Sequence, residues 1–208
     1  MPIKADVTAT FTEPLLGSSP LSKDIYSKYI ESLQVKRVDA LQEGDADEQK
    51  TVPEVDTEKG VTGFHRDGVG LFVYDYAVKG FFKEAGNILK DKLGEKNLRS
   101  KLDNYLFVFP RRVYLLDSDS KPIGMPHGVL ERPLRAQTMQ GPRVTLAKSE
   151  MLNAGTKIAF RVELIDGHPL KHPERIIEAI LDYSKYKFLG QWRNGSYGRA
   201  TYELKFVS

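Results

Sequence analysis

The 208-residue sequence contains no cysteine. That excludes a disulfide framework and any thiolate metal site, and it suits the cytoplasm. No run of eighteen apolar residues occurs, and no charged-then-apolar leader opens the chain, so neither a membrane span nor a signal peptide is expected. A nucleophile elbow, a paired-carboxylate motif and a zinc signature are also missing. Of the four histidines (His65, His127, His168 and His172), the last two are four apart but straddle Pro169 and Pro173, so they form no helical metal pair. Asp117 and Asp119 read as turn residues. The expectation is a cytoplasmic protein, not an enzyme, with no metal, no cofactor and no membrane partner.

What is present is ordinary for a globular chain: 40% hydrophobic and 28% charged residues, enough for one good core and too few for two comfortable domains. The formal charge of +3 conceals an uneven distribution. Between Asp39 and Lys59 stand eight acidic residues and only two lysines, leaving 29 basic against 20 acidic groups, or +9, for the rest. A field of that sign attracts phosphates and speeds their encounter. The acidic stretch, about 39–60, has too little apolar surface to offset its ordering entropy and is expected to be a mobile insertion.

Alternation and β-branched residues make Ala5–Glu13 a strand that stops at Pro14. Leu21–Val35 has helical spacing. Leu71–Tyr74 reads as a strand and Tyr76–Leu93 as an amphipathic helix, with Val78, Phe81, Phe82, Ala85, Ile88 and Leu89 on one face and Gly94 as its C-terminal cap. Tyr105–Phe109 reads as a buried strand closed by Pro110, and Arg111–Leu116 extends it. From Asp117 to about Ala154 periodicity is weak, so a long basic loop is expected. Thr156–Ile165 is the clearest strand. Pro173–Phe188 is a helix with proline at its start, and Arg199–Phe206 is the last strand. The order approaches βαββαβ, so the fold class is α+β, the ferredoxin-like (RRM-like) plan, as a single domain over 1–208.

Three features bear on chemistry. The stretch Gly190-Gln-Trp-Arg-Asn-Gly-Ser-Tyr-Gly-Arg199 interleaves Gly190, Gly195 and Gly198 with Trp192, Arg193, Tyr197 and Arg199. Glycines let backbone N–H groups approach a phosphate, arginines supply forked donors, and aromatic rings offer stacking faces. A helix precedes it and a strand follows, which is the reverse of a dinucleotide fingerprint, and it has no Gly-Lys-Ser/Thr. The second feature is the run Arg132, Arg135, Arg143 and Lys148, joined by Arg111 and Arg112. The third is Lys79-Gly80, placed at a helix start where free N–H groups favour an anion.

Val7-Thr-Ala-Thr-Phe-Thr-Glu-Pro-Leu-Leu-Gly-Ser18 resembles the first strand and turn of the RAMP superfamily, the repeat-associated proteins of CRISPR effector complexes. Arg66-Asp-Gly and then Val78-Lys-Gly-Phe-Phe-Lys83 are similar to the segment leading into that family's first helix. Leu134-Arg-Ala-Gln-Thr-Met-Gln-Gly-Pro-Arg143, with Glu150 and Ala154-Gly155-Thr156, is similar to its thumb-like loop, and Gly190–Arg199 to its glycine-rich loop before the last strand. The four matches occur in family order over most of the chain. One departure is plain: Tyr74-Asp-Tyr-Ala77 replaces the family's Pro-Gly-Ser-Ser. The chain looks like a compact, divergent member, of the kind a phage or mobile element would carry.

The resemblance implies an RNA-binding protein, with single-stranded RNA as partner and head-to-tail self-association or CRISPR effector subunits alongside. Lys79, Arg111, Arg112, Arg132, Arg135, Arg143, Arg193 and Arg199 are the candidate phosphate contacts, and Trp192 or Tyr197 stacks on a base or packs beneath the loop. Two other readings stay open. One is an anti-defence protein of a phage or mobile element that mimics a CRISPR subunit or captures a signalling nucleotide. The other is a weak ribonuclease using Asp67, since some family members cut target RNA with an aspartate between the first strand and first helix.

Overall fold

The structure, a computed structural model, describes residues 2–21, 61–138 and 141–207, the side chains of 134–145 excepted. Apart from Leu21, the helix expected over 21–35 lies outside the described residues, as does the acidic stretch 39–60. In chain order the elements are β1 (Ile3–Phe11), β2 (Leu15–Leu16), β3 (Ser19–Pro20), β4 (Val61–Gly63), β5 (His65–Arg66) and β6 (Leu71–Tyr74). There follow α1 (Asp75–Leu93), α2 (Leu98–Tyr105), β7 (Leu106–Phe109) and β8 (Arg112–Leu116). The chain ends with β9 (Gly128–Thr138), β10 (Gly141–Leu152), β11 (Lys157–Leu164), α3 (Pro173–Asp182) and β12 (Ala200–Val207). It divides into two compact units, the first Met1–Leu15, Phe72–Ile123 and Asn153–Ser208, the second Leu16–Leu71 and Gly124–Leu152.

The first unit is α+β, with its strands in the order β12-β1-β11-β8-β6. The apolar alternation of β1 fixes this arrangement: Ala5, Val7, Ala9 and Phe11 are all buried. Val7 stands opposite Leu204 on one side and Phe160 on the other, so a one-residue slip would turn every one of these side chains out. β11 meets two partners on its other edge. Arg161 pairs with Phe109 of β7, and Ile158 with Leu115 of β8. The surplus residues around Pro110 bulge out, and β8 then turns to pair with β6 through Phe72 and Tyr114.

Helix α1 buries Val78, Phe81, Phe82 and Ala85, and Gly94 caps it in the left-handed region at φ 66°, where a Cβ is disfavoured. Ile88, expected on the buried face, is exposed. Helix α3 buries Ile176, Ile177, Ile180 and Leu181. The core between helices and sheet is aromatic: Phe188 lies 5.7 Å from Phe11 and 4.6 Å from Phe81, the latter edge to face. Full burial of one such ring contributes roughly 2–3 kcal/mol. α3 ends at Asp182 and passes into a 3₁₀ turn, Tyr183–Lys185, short of the expected Phe188. α2 has no counterpart in the sequence reading; it buries only Leu98 and Leu102, too few apolar positions to show a period.

In the second unit β10 is the organising strand. β4 runs parallel to it through Lys148↔Val61, and β3 pairs with β4. The long basic loop expected over 117–154 is corrected by the structure. Most of it is a two-stranded antiparallel ribbon, β9 with β10, paired from Gly128↔Met151 to Thr138↔Gly141. None of residues 128–133 of β9 is buried, and Pro133 interrupts the pattern, so no hydrophobic alternation signalled a strand. Among the described residues Pro133 sits on a strand that pairs on one side only, where a missing N–H is tolerated. Of the remainder, 117–120 is a turn in which Asp117 Oδ1 accepts N–H bonds from Asp119 and Lys121, both at 2.9 Å, and Pro122 bridges back to Leu116.

Candidate nucleic-acid interface

Two sets of predicted residues are placed by the first unit. The glycine-rich loop leaves the buried pair Phe188 and Leu189 and returns to β12 through two backbone bonds. Leu189 N–H donates to Gly198 O (3.3 Å), and Gly198 N–H donates to Pro14 O (2.9 Å). Between them Trp192 and Ser196 both adopt left-handed backbone, at φ 50° and 73°. Gly198 is required here for a definite reason: its φ is +68°, and a Cβ would lie 1.8 Å from the Leu189 carbonyl oxygen. Gly195 leaves room for the indole, since a Cβ there would stand 3.0 Å from the Trp192 ring. Both glycines thus serve the packing of the loop itself.

The loop's aromatics form one object. Trp192 and Tyr197 stack at 5.2 Å with ring planes 14° apart, and Trp192 is 46% exposed. The arginines part company. Arg193 donates from Nη1 to Glu84 Oε2 of α1 at 2.6 Å and to the Phe188 carbonyl at 3.3 Å, which ties the loop to the helix. Lys187 reaches the same carboxylate at 2.7 Å. Burial works to raise the Glu84 pKa, but the bonds from Lys187 and Arg193 hold it below the ordinary value. The Arg199 backbone carbonyl accepts the Thr12 N–H at 2.9 Å, yet its buried Nε has no hydrogen-bond partner among the described residues.

Lys79 is not at the start of a helix. α1 begins at Asp75, whose N–H already bonds to the Arg111 carbonyl, so Lys79 lies one turn in and its N–H belongs to the helical ladder. Its ammonium stands 4.8 Å from the centroid of the Phe107 ring and 4.0 Å from Asp103, and burial lowers its pKa. Arg111 and Arg112 lie over aromatic rings, 5.6 Å from Tyr74 and 5.3 Å from Phe72 respectively. Such stacking orients the guanidinium planes.

One feature was missed by sequence reasoning. β7 is not a buried strand: Leu106 and Val108 are buried, but Phe107 is 39% and Phe109 48% exposed. Leu-Phe-Val-Phe is apolar at every position, so period two could not say which face meets the core. Register puts Phe109 beside Arg161 and Arg161 beside Asp6, a bidentate pair at 2.6 and 3.1 Å that holds the Asp6 carboxyl below its usual pKa.

In the second unit Arg132 sits on β9 opposite Ala147, and the neighbouring Lys148 pairs with Glu131 at 3.1 Å. Arg135 stands opposite Val144 and Arg143 opposite Ala136 in the ladder; their side chains lie outside the described ones. Asp67, the weak catalytic candidate, accepts N–H bonds from Val69 (2.9 Å) and Gly70 (3.2 Å), as a turn aspartate does. Glu150 is buried, paired with Arg66, and accepts the Phe64 N–H at 3.0 Å.

His65 is buried, and desolvation pushes its pKa from 6.5 to about 4. The folded state disfavours the charged ring, so the unfolded chain takes up a proton first as pH falls. Stability from this residue is complete above pH 6.5 and is lost as pH descends toward 4. The loss is expected to be on the order of 3 kcal/mol. Urea titrations at intervals from pH 7 to 4 should show it, and His65→Gln should flatten the profile. An unchanged profile in the variant would assign the acid loss to other groups.

Neither a family model nor a curated protein matches the sequence. Among solved structures 131 chains match. A chain of the structure described as a Type IV-B CRISPR complex superposes with a TM-score of 0.51 at 11% identity, over 98% of this chain and 90% of that one. A chain of the cryo-EM structure of the Type III-B Cmr-beta bound to cognate target RNA gives a TM-score of 0.53 at 10% identity. That match takes in all of this chain and 61% of the other. The fold is similar to chains of CRISPR complexes. At such identities the likeness is one of backbone architecture, and the sites rest on this chain's own residues. No helix among the described residues is long and apolar enough to cross a membrane.

Proposed function

We propose that the chain is a RAMP-like protein of the cytoplasm that binds single-stranded RNA and performs no catalysis, both units belonging to one RAMP-like domain. The strand order β12-β1-β11-β8, with α1 and α2 between β1 and β7 and α3 between β11 and β12, supports the ferredoxin-like reading. The observation that carries the RNA reading is Arg199. It closes a loop whose tryptophan is exposed, its own side chain is part-exposed, and its buried Nε has no hydrogen-bond partner among the described residues. Arg111, Arg112 and Arg132 are the further phosphate contacts, with Arg135 and Arg143 on the ribbon. RNA rather than another polyanion is favoured because one chain of similar fold comes from a complex bound to cognate target RNA. Head-to-tail assembly along the RNA is part of the same reading. The turn role of Asp67 supports a non-catalytic protein.

Fluorescence anisotropy with an end-labelled single-stranded RNA tests this. Affinity is expected to fall steeply from low to physiological salt. Arg199→Ala and Arg132→Ala should each lower the log–log slope by about 0.7, the amount one phosphate contact contributes on a single strand. Thermal melting of each variant, run alongside, separates lost contacts from lost folding. Absence of binding at low salt for any RNA ends this reading.

A further inference from the structure

The open face of the first unit's sheet carries a feature that the glycine-rich loop and the arginines do not use. Phe107 and Phe109 project from β7 on one face, roughly 7 Å apart as alternate residues of a strand are. Both are exposed, in a fold that buries Phe11, Phe72, Phe81, Phe82, Phe160 and Phe188. Beside Phe109 lies a depression of ≈ 600 Å³, lined by Asp6, Thr8, Pro110, Ala159, Arg161 and Glu163 among others. Its floor is flat because Ala159 and Thr8, paired across β11 and β1, are small. Its rim combines a guanidinium with carboxylates and a hydroxyl. The cation of Lys79 stands over Phe107.

From this we infer that the open sheet face is a separate nucleobase-binding site: a base of a single-stranded RNA stacks on Phe109, Arg161 and Asp6 meet its polar edge, and Lys79 at Phe107 meets the adjoining phosphate. The occupant follows from the chemistry. The exposed groups are two planar rings, polar edge groups and a cation placed at a ring, which match the face, edge and phosphate of a nucleotide. The volume suits a nucleotide. Stacking tolerates every base, since each has a π-face, so this site contributes affinity without sequence choice. The inference rests on the RNA reading for its occupant, but its residues are different.

Phe107→Ala/Phe109→Ala removes exposed rings and is expected to melt like the parent protein. The probes are a ten-nucleotide oligoadenylate and an abasic oligomer of the same length and charge. The double variant should bind oligoadenylate about tenfold more weakly, with affinity for the abasic oligomer and the salt slope unchanged. Equal affinity of variant and parent for oligoadenylate overturns the site while leaving the RNA reading standing. Equal loss for both oligomers overturns it as well, because that pattern belongs to a phosphate contact. If neither oligomer binds the parent, the RNA reading falls, and the site is judged by titrating adenosine monophosphate while following backbone amide resonances. Shifts confined to β7 and β11 that vanish in the double variant support it; no shifts there overturn it.

Discussion

Gly198→Ala is expected to destabilise the first unit by about 3 kcal/mol or more, and to be among the most damaging single substitutions in the chain. Two costs add. An alanine at φ +68° occupies left-handed backbone, at about 1 kcal/mol or more. Its Cβ would also stand 1.8 Å from the Leu189 carbonyl oxygen, a backbone atom that cannot rotate away. Relief would require breaking the bonds from Leu189 to Gly198 or from Gly198 to Pro14, and with them the seat of Phe188 in the aromatic core. Urea denaturation measures the loss, which should appear without RNA. Gly195→Ala provides the contrast. The atoms nearest its added Cβ belong to the Trp192 ring, a side chain able to shift, so it should cost much less while moving the indole fluorescence. Because the sequence has a single tryptophan, that emission reports on this loop alone. A stable, well-folded Gly198→Ala would mean that the loop does not close on Leu189 as described.

Glu150→Ala is the second large effect, expected at about 2–4 kcal/mol and located in the second unit. Breaking a buried ion pair by removing one partner costs about 3–5 kcal/mol, because the other charge is left without compensation. The value is discounted here because Arg66 keeps 27% of its side chain exposed, against 10% for Glu150. The substitution also leaves the buried Phe64 N–H without its acceptor. Glu150→Gln restores an acceptor for that N–H but not the charge, so an intermediate loss is expected. Arg66→Met/Glu150→Leu removes both charges and should be less destabilised than Glu150→Ala alone. Hydrogen exchange at β4 and β10 would localise the effect, since the Gly17 N–H bonds to the Glu150 carbonyl and β4 pairs with β10 beside it. Loss spread evenly over both units would contradict a local role for the pair.

What could be read along the chain was whatever repeats within a few residues. β1, α1, β11, α3 and β12 were all legible, because each buries one face and shows the period of its type. The proline at the start of α3 and the glycine after α1 marked their ends for local steric reasons. The glycine-rich loop was legible as a composition, and its arginines as candidates. Tertiary structure decided what those residues do. Arg193 meets Glu84 across 109 positions of sequence, and Arg66 meets Glu150 across 84, distances at which no local pattern carries a signal. The ribbon of β9 and β10 stayed hidden because each strand carries a proline and residues 128–133 of β9 bury no side chain, so long-range cross-strand pairing had to define it. Which face of Leu-Phe-Val-Phe turns outward was settled by the register of β7 on β11 and by nothing in the four residues themselves. The sequence by itself determined the apolar periods, the charge and the turn chemistry. Only the fold decided which glycine a backbone crossing requires, which arginine is engaged at a carboxylate, and which two phenylalanines remain at the surface. Those depend on distant groups brought to a few ångströms, where burial, clash and pairing first acquire their energies.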